Sequence, residues 1–196
     1  MPKLTEARRE LRRDQIVQAA RRCFVRTGME RTSVADITAE SGLSAGSIYA
    51  HFTGKADIVR AVVQDSLDRR AELVAAFAAS PHPPNPAQVI LQLAAAADPD
   101  DARIALQALG EATTDPAIRD IVGTTIDRMH ALFRASCEAW LVKSEGHAAD
   151  AAAARATRLA GHLVAVFQSL LIQNAFPDGP GAVDATAVAD LVAAQT

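Results

Sequence analysis

Much of what other architectures need is scarce in this chain. Of 196 residues only 4% are aromatic and two are cysteine. No stretch reaches the roughly 18 consecutive apolar residues of a membrane span. Cys23 and Cys137 lie far apart in apolar surroundings with no metal-ligand spacing around either, so both read as reduced, structural thiols. The N-terminus is polar and basic rather than signal-like, and a cytoplasmic protein with no membrane partner is expected. No ExxH, HExxH or CxxC spacing, nucleophile motif or phosphate loop is found. Glu111, Asp115, His130 and His162 could in principle meet, but no motif supports that meeting. The chain is therefore not expected to be an enzyme, to hold a metal or to need a cofactor.

What is present favours helix. Apolar residues make up 49% of the chain, with alanine runs such as Ala75-Ala76 and Ala151 to Ala154, and alanine loses least entropy in a helix. The net charge of −3 conceals an asymmetry: residues 1–60 hold 11 Lys and Arg against 7 Asp and Glu, and the remainder 9 against 16. A basic end on an acidic body suits a polyanion partner for the first segment alone, although arginines that merely solvate a helix face give the same count.

A first helix is predicted over about Arg8 to Thr27, with Ile16, Ala20 and Phe24 spaced by four and Gly28 closing it. Ser33-Val-Ala-Asp36 is a capping box that opens a short helix to about Ser41. Gly42 stops it, and Ser44 can cap a third helix over Ala45 to about Ala50. Two short helices joined by a tight glycine turn make a helix-turn-helix. Phe52 reads as an apolar plug, and a long fourth helix is predicted from Gly54-Lys55 to about Ala79.

Four prolines between Pro81 and Pro86 forbid helix there, and the main architectural joint is placed at this segment. Five more helices are predicted at about 86–97, 101–113, 115–144, 148–175 and 183–194. One long stripe runs Ile118, Val122, Ile126, Met129, Phe133, Cys137 and Trp140, and another Leu159, Leu163, Val166, Phe167, Leu170 and Leu171.

The run Thr32-Ser-Val-Ala-Asp-Ile-Thr-Ala-Glu-Ser-Gly-Leu-Ser-Ala-Gly-Ser-Ile-Tyr-Ala-His-Phe-Thr-Gly-Lys55 resembles the DNA-binding signature of the TetR family of transcriptional regulators. The likeness is strongest over about Gln15 to Val59; the body is similar only in helical layout and length. Thr38 and Ser41 depart from the pattern, standing where the family commonly has alanine, and their hydroxyls are expected to bond back to their own helix.

The resemblance implies an all-α fold of about nine helices. It consists of a three-helix helix-turn-helix domain over 1–54, a connecting helix over 55–80, and a helical ligand-binding and dimerisation bundle over 81–196. It also assigns roles. Ala45, Gly46 and Ser47 would face the major groove, and Ser33, Ser44, Tyr49, His51 and Lys55 would hold phosphates. Lys3, Arg8, Arg9, Arg12 and Arg13 could extend the footprint. Phe52 is read as core; core for Tyr49 and a plain solvated surface for His51 are the competing readings.

In the body, Leu106, Leu109, Met129, Phe133, Cys137, Trp140 and Phe167 are the implied lining for a small apolar or amphipathic inducer of unknown identity, with His130 and His162 as polar contacts. A packed core would show the same stripe. Leu159, Leu163, Val166 and Leu170, with Val188 and Leu191, are the implied homodimer interface, intramolecular core being the alternative. The function implied is a ligand-responsive repressor that binds a palindromic operator as a homodimer. The alternatives are a helical adaptor or sensor without DNA binding, and a small helical enzyme.

Overall fold

The structure, a computed structural model, describes residues 2–176. Among them the chain forms eight helices: α1 Pro2–Thr27, α2 Val34–Ser41, α3 Ala45–Tyr49, α4 Lys55–Ala79, α5 Pro86–Ala95, α6 Pro99–Glu111, α7 Pro116–Lys143 and α8 Ala149–Ala175. The helix expected over 183–194 lies outside the described residues, as do Val188 and Leu191. No described helix is long and apolar enough to cross a membrane.

The helix ends are set by local chemistry. Ser33 and Asp36 form a reciprocal capping box on α2, and Asn85 and Gln88 form another on α5, where Pro86 takes the first helical turn. Asp115 Oδ1 accepts the Ala117 and Ile118 amides at 2.8 and 3.3 Å to open α7. Gly42 closes α2 with φ +69°, a left-handed conformation in which a Cβ would be strained even though open space surrounds it.

The described residues divide into two compact units. One holds residues up to 65 together with 107–122; the other holds 66–106 and the chain from 123 onward. This differs from the boundaries expected at 54, 80 and 81: α4 is shared between the units, and the end of α6 with the start of α7 joins the N-terminal unit. The Gln107 side chain supplies a physical reason. Its Oε1 accepts the Met29 amide at 2.6 Å and its Nε2 donates to the Phe24 carbonyl at 3.2 Å.

In the first unit, α1 packs on α2 and α2 on α3. Ile16, Ala20, Cys23, Phe24, Ile37, Ile48, Ile58 and Val59 are fully buried. In the second unit, α5 packs against α8. A core there gathers Leu67, Val74, Ile90, Leu93, Phe133, Leu141, Leu159 and Leu163 among others. Arg69 holds the buried Asp101 carboxylate through both oxygens, at 3.1 and 3.0 Å.

Both thiols are buried. Burial pushes Cys137 up to about 12 and also raises Cys23, against the opposing pull of Arg26. Since the thiolate is the nucleophile, iodoacetamide at about pH 8 should leave both cysteines of the native chain unmodified and label both in denaturant. Mass spectrometry of the two samples checks this. Phe24→Ala should destabilise the chain by about 3–5 kcal/mol in urea unfolding. Leu11→Ala, on the same helix but 68% exposed, should change stability by no more than about 0.5 kcal/mol.

Candidate nucleic-acid interface

α3 is built to be presented. Ser44 has extended backbone angles, and its Oγ accepts the Ser47 amide at 3.2 Å, capping the helix. Ile48 is buried and pins one side, and Phe52 closes the end, its amide donating to the Ile48 carbonyl at 3.0 Å. What remains outward is Ala45, Gly46 and Tyr49, all exposed, Tyr49 by 60%, with Ser47 and His51 half-buried beside them. Phe52 is core, as expected. Tyr49, by contrast, is a surface residue.

The departures from the family pattern are absorbed as expected. Thr38 Oγ1 donates to the Val34 carbonyl at 2.8 Å, and Ser41 Oγ donates to the Thr38 carbonyl at 3.0 Å. Ser41 Oγ also accepts the Leu43 amide at 3.3 Å, and the Ser41 carbonyl accepts from Gln15 Nε2 at 2.9 Å. The turn between α2 and α3 is thus tied both to its own helix and to α1.

Two of the expected phosphate holders already have partners. Ser33 Oγ donates to Asp36 Oδ2 at 2.6 Å while accepting the Asp36 amide, so its proton is spent within the capping box. Lys55 Nζ donates to the Glu30 carbonyl at 2.8 Å. Ser44, by contrast, uses only its acceptor side in the cap. The arginines are similarly divided. Arg22 and Arg26 hold Glu40 at 2.7 and 3.0 Å, and the Arg13 guanidinium lies 5.7 Å from the Phe52 ring centre. Arg8, Arg9 and Arg12 are exposed.

These pairs shape the titration of the N-terminal unit. The Ser33 hydroxyl and amide hold the Asp36 carboxyl below its ordinary range, and Arg22 with Arg26 do the same for Glu40. Both groups stabilise the fold above the unfolded carboxylate range, and that contribution is lost as pH falls through their depressed folded values. Glu111 behaves oppositely. Burial raises its pKa against the attraction of Lys55, so its contribution is present in acid and lost as pH rises through the raised value.

In the second unit the structure brings Met129, Phe133, Cys137 and Phe167 into one buried cluster with Trp140 packed against it. Phe133 and Phe167 meet edge to face at 5.9 Å. Leu106 and Leu109 do not join them. Leu106 is half-buried outside the cluster, and Leu109 is 37% exposed and belongs to the N-terminal unit, beyond the Gln107 anchor. His130 is half-buried and His162 exposed.

The expected dimer face is also corrected. Leu159 and Leu163 are 3% and 1% exposed inside the chain's own core and leave no surface for a second copy. Val166 and Leu170 are only partly buried at its edge. Ile172 and Phe176, exposed apolar residues that the sequence reading did not single out, lie further along.

Residues 16–62 match the family described as bacterial regulatory proteins, tetR family. The HTH-type transcriptional regulator TtgR of Pseudomonas putida is 42% identical over 67 residues, 34% of this chain and 31% of that protein. The curated relatives of this kind are thus matched over about a third of their length. Among solved structures, Salmonella enterica GusR superposes with a TM-score of 0.70 at 19% identity, covering 94% of each chain. The multidrug binding protein EbrR complexed with proflavin superposes with a TM-score of 0.62 at 20% identity, over 94% of this chain and 99% of that one. At such identities the structural likeness shows the fold alone. The similarity to the tetR family of bacterial regulatory proteins thus rests on residues 16–62.

Proposed function

We propose that the chain is a ligand-responsive transcriptional repressor that docks α3 in the major groove of a palindromic operator as a homodimer in the cytoplasm. The observation that carries this is the presentation of α3. A helix anchored by buried Ile48 turns Ala45, Gly46 and Tyr49 outward, and residues as small as the first two let the backbone approach base edges closely. Ser44 offers its proton to a phosphate, and Tyr49 and His51 add donors. Lys55 would exchange the Glu30 carbonyl for a phosphate, trading a neutral acceptor for a charged one. Ser33 contributes mainly by fixing the N-terminus of α2.

The inducer is proposed to be apolar or amphipathic and to enter the cluster of Met129, Phe133, Cys137, Trp140 and Phe167. Aromatic faces and an adaptable methionine suit such a ligand, and the structural neighbour EbrR was solved with proflavin. α4 and α6 each run unbroken from one unit into the other, giving ligand a covalent route to the head. Ligand can shift the operator-fitting geometry only by its differential affinity for the two states. The dimer face is proposed on the partly exposed edge of α8, from Val166 and Leu170.

Selection from a random duplex library at physiological salt should recover a palindrome with half-sites about one helical turn or slightly more apart. Recovery of no preferred sequence by a folded dimer would favour an adaptor instead. Lys55→Ala should weaken binding to all duplexes alike and lower the slope of log affinity against log salt by about 1. Tyr49→Phe should cost about 1–2 kcal/mol with the slope unchanged, because a phenol releases no counterion. Fluorescence anisotropy between roughly 50 and 200 mM salt reads both. An unchanged slope for Lys55→Ala would remove it from the phosphate contacts.

A further inference from the structure

The N-terminal unit contains a cleft of about 650 Å³, bounded by the α1–α2 turn, the start of α4, and the end of α6 with the turn that follows it. Clefts of roughly 300–1,000 Å³ are of the size that takes small molecules. The body cluster does not account for it, and of the proposed operator contacts only Lys55 lines it.

The wall is mixed in charge, with a small acidic excess. Among the described residues Glu111 Oε1 is buried with no hydrogen-bond partner, an arrangement that leaves a carboxylate oxygen without the donor that burial demands. Thr27 Oγ1 is engaged with both the Cys23 carbonyl and Thr32 Oγ1 at 2.9 Å, whereas the Thr113 and Thr114 hydroxyls have given their protons to the Gly110 and Glu111 carbonyls at 2.7 and 3.3 Å. These last two therefore offer the cleft lone pairs only. Gln107 is used at both ends of its amide, and the Lys55 ammonium is held by the Glu30 carbonyl. By charge the wall carries Glu30, Glu111 and Asp115 against Arg31 and Lys55. Arg31 and Lys55 bring donors of their own, but the ionised wall sums to a charge of about −1 and its buried carboxylate oxygen lacks a donor, so it favours an occupant with N–H groups and positive charge.

We propose that this cleft is a binding site for a small organic cation bearing N–H donors, an ammonium or a guanidinium, with Glu111 as its counter-ion and the threonine oxygens as further acceptors. The site is separate from the body cluster and needs no DNA to be observed. Burial that disfavours the Glu111 carboxylate when the cleft is empty is relieved when a cation sits against it, which couples occupancy to ionisation of this one acid.

The test is calorimetric titration of the purified full chain at about pH 8 with agmatine and with putrescine, and with tetramethylammonium, which has charge but no N–H. At least one of the two amines should saturate a single site, and tetramethylammonium should bind at least about tenfold more weakly. Glu111→Gln should weaken the amine by about tenfold or more. Its melting temperature should be no lower than that of the parent chain, since the amide removes the charge that burial disfavours. Equal affinity of Glu111→Gln for the amine would place the site elsewhere and overturn the proposal. So would equal affinity of the parent chain for tetramethylammonium, or no saturation by either amine up to about 10 mM. The tetramethylammonium comparison uses the parent chain alone and decides the matter even if the variant fails to fold.

Discussion

A helix of five residues has almost no stability of its own, because nucleating a turn fixes several dihedrals for a single hydrogen bond. α3 is such a helix. The surface proposed to meet DNA therefore depends on what pins it: the Ile48 side chain buried beneath it, the Ser44 cap before it and Phe52 behind it. Those pins need a rigid bed. α2 supplies one through its own capping box, the left-handed Gly42 that reverses the chain, and the hydroxyls of Thr38 and Ser41 folded back onto its carbonyls. Polar groups that would otherwise compete with the core are consumed inside the turn, so the outward face of α3 is held by elements that make no demand on it.

The second constraint is the amide of Gln107. One side chain satisfies two main-chain groups at the end of α1 and just past it, which would otherwise lie at a helix terminus with few partners. By doing so it brings the last residues of α6 into the N-terminal unit and creates the cleft in which Lys55 and Glu111 are neighbours. Lys55 is thus set between a main-chain carbonyl, a carboxylate that burial leaves poorly served, and whatever anion approaches from outside. A lysine with three competing acceptors is adjustable in a way that a fully buried ion pair is not, because its present bond is to a neutral group and is cheap to exchange.

Local chemistry is legible in the sequence; long-range pairing is not. The capping box at Ser33, the Gly42 turn, the Ser44 cap and the back-bonded hydroxyls all follow from residues within four positions of one another, and most helix limits agree within a few residues. The division of α6 depends on Gln107 meeting residues 78 and 83 positions away, and no periodicity announces that. The same limit explains the body. An apolar stripe says which face of α8 avoids water but not whose surface it meets, so Leu159 and Leu163 read as well for a partner as for the core that in fact encloses them. Leu109 misleads for the same reason: it lies two residues past Gln107, where α6 passes from one unit to the other.

Charge follows the same rule of local commitment. The excess of basic residues in the first 60 positions suggests a polyanion partner, but a formal count overstates what is on offer. Arg22 and Arg26 are joined to Glu40, drawing its carboxyl below the ordinary range, and Arg13 lies over Phe52. These residues brace α1 against α2 and the segment after α3. They still contribute to the long-range field, since an ion pair at an exposed surface is screened rather than cancelled. Close contact with phosphate, however, requires a donor that can leave its present partner. By that criterion Lys55, bonded to a carbonyl, is better placed than Arg22 or Arg26, whose release would strand a carboxylate. The long-range encounter is thus a property of the whole segment, whereas docking rests on the few groups whose existing bonds are weaker than the ones a phosphate would make.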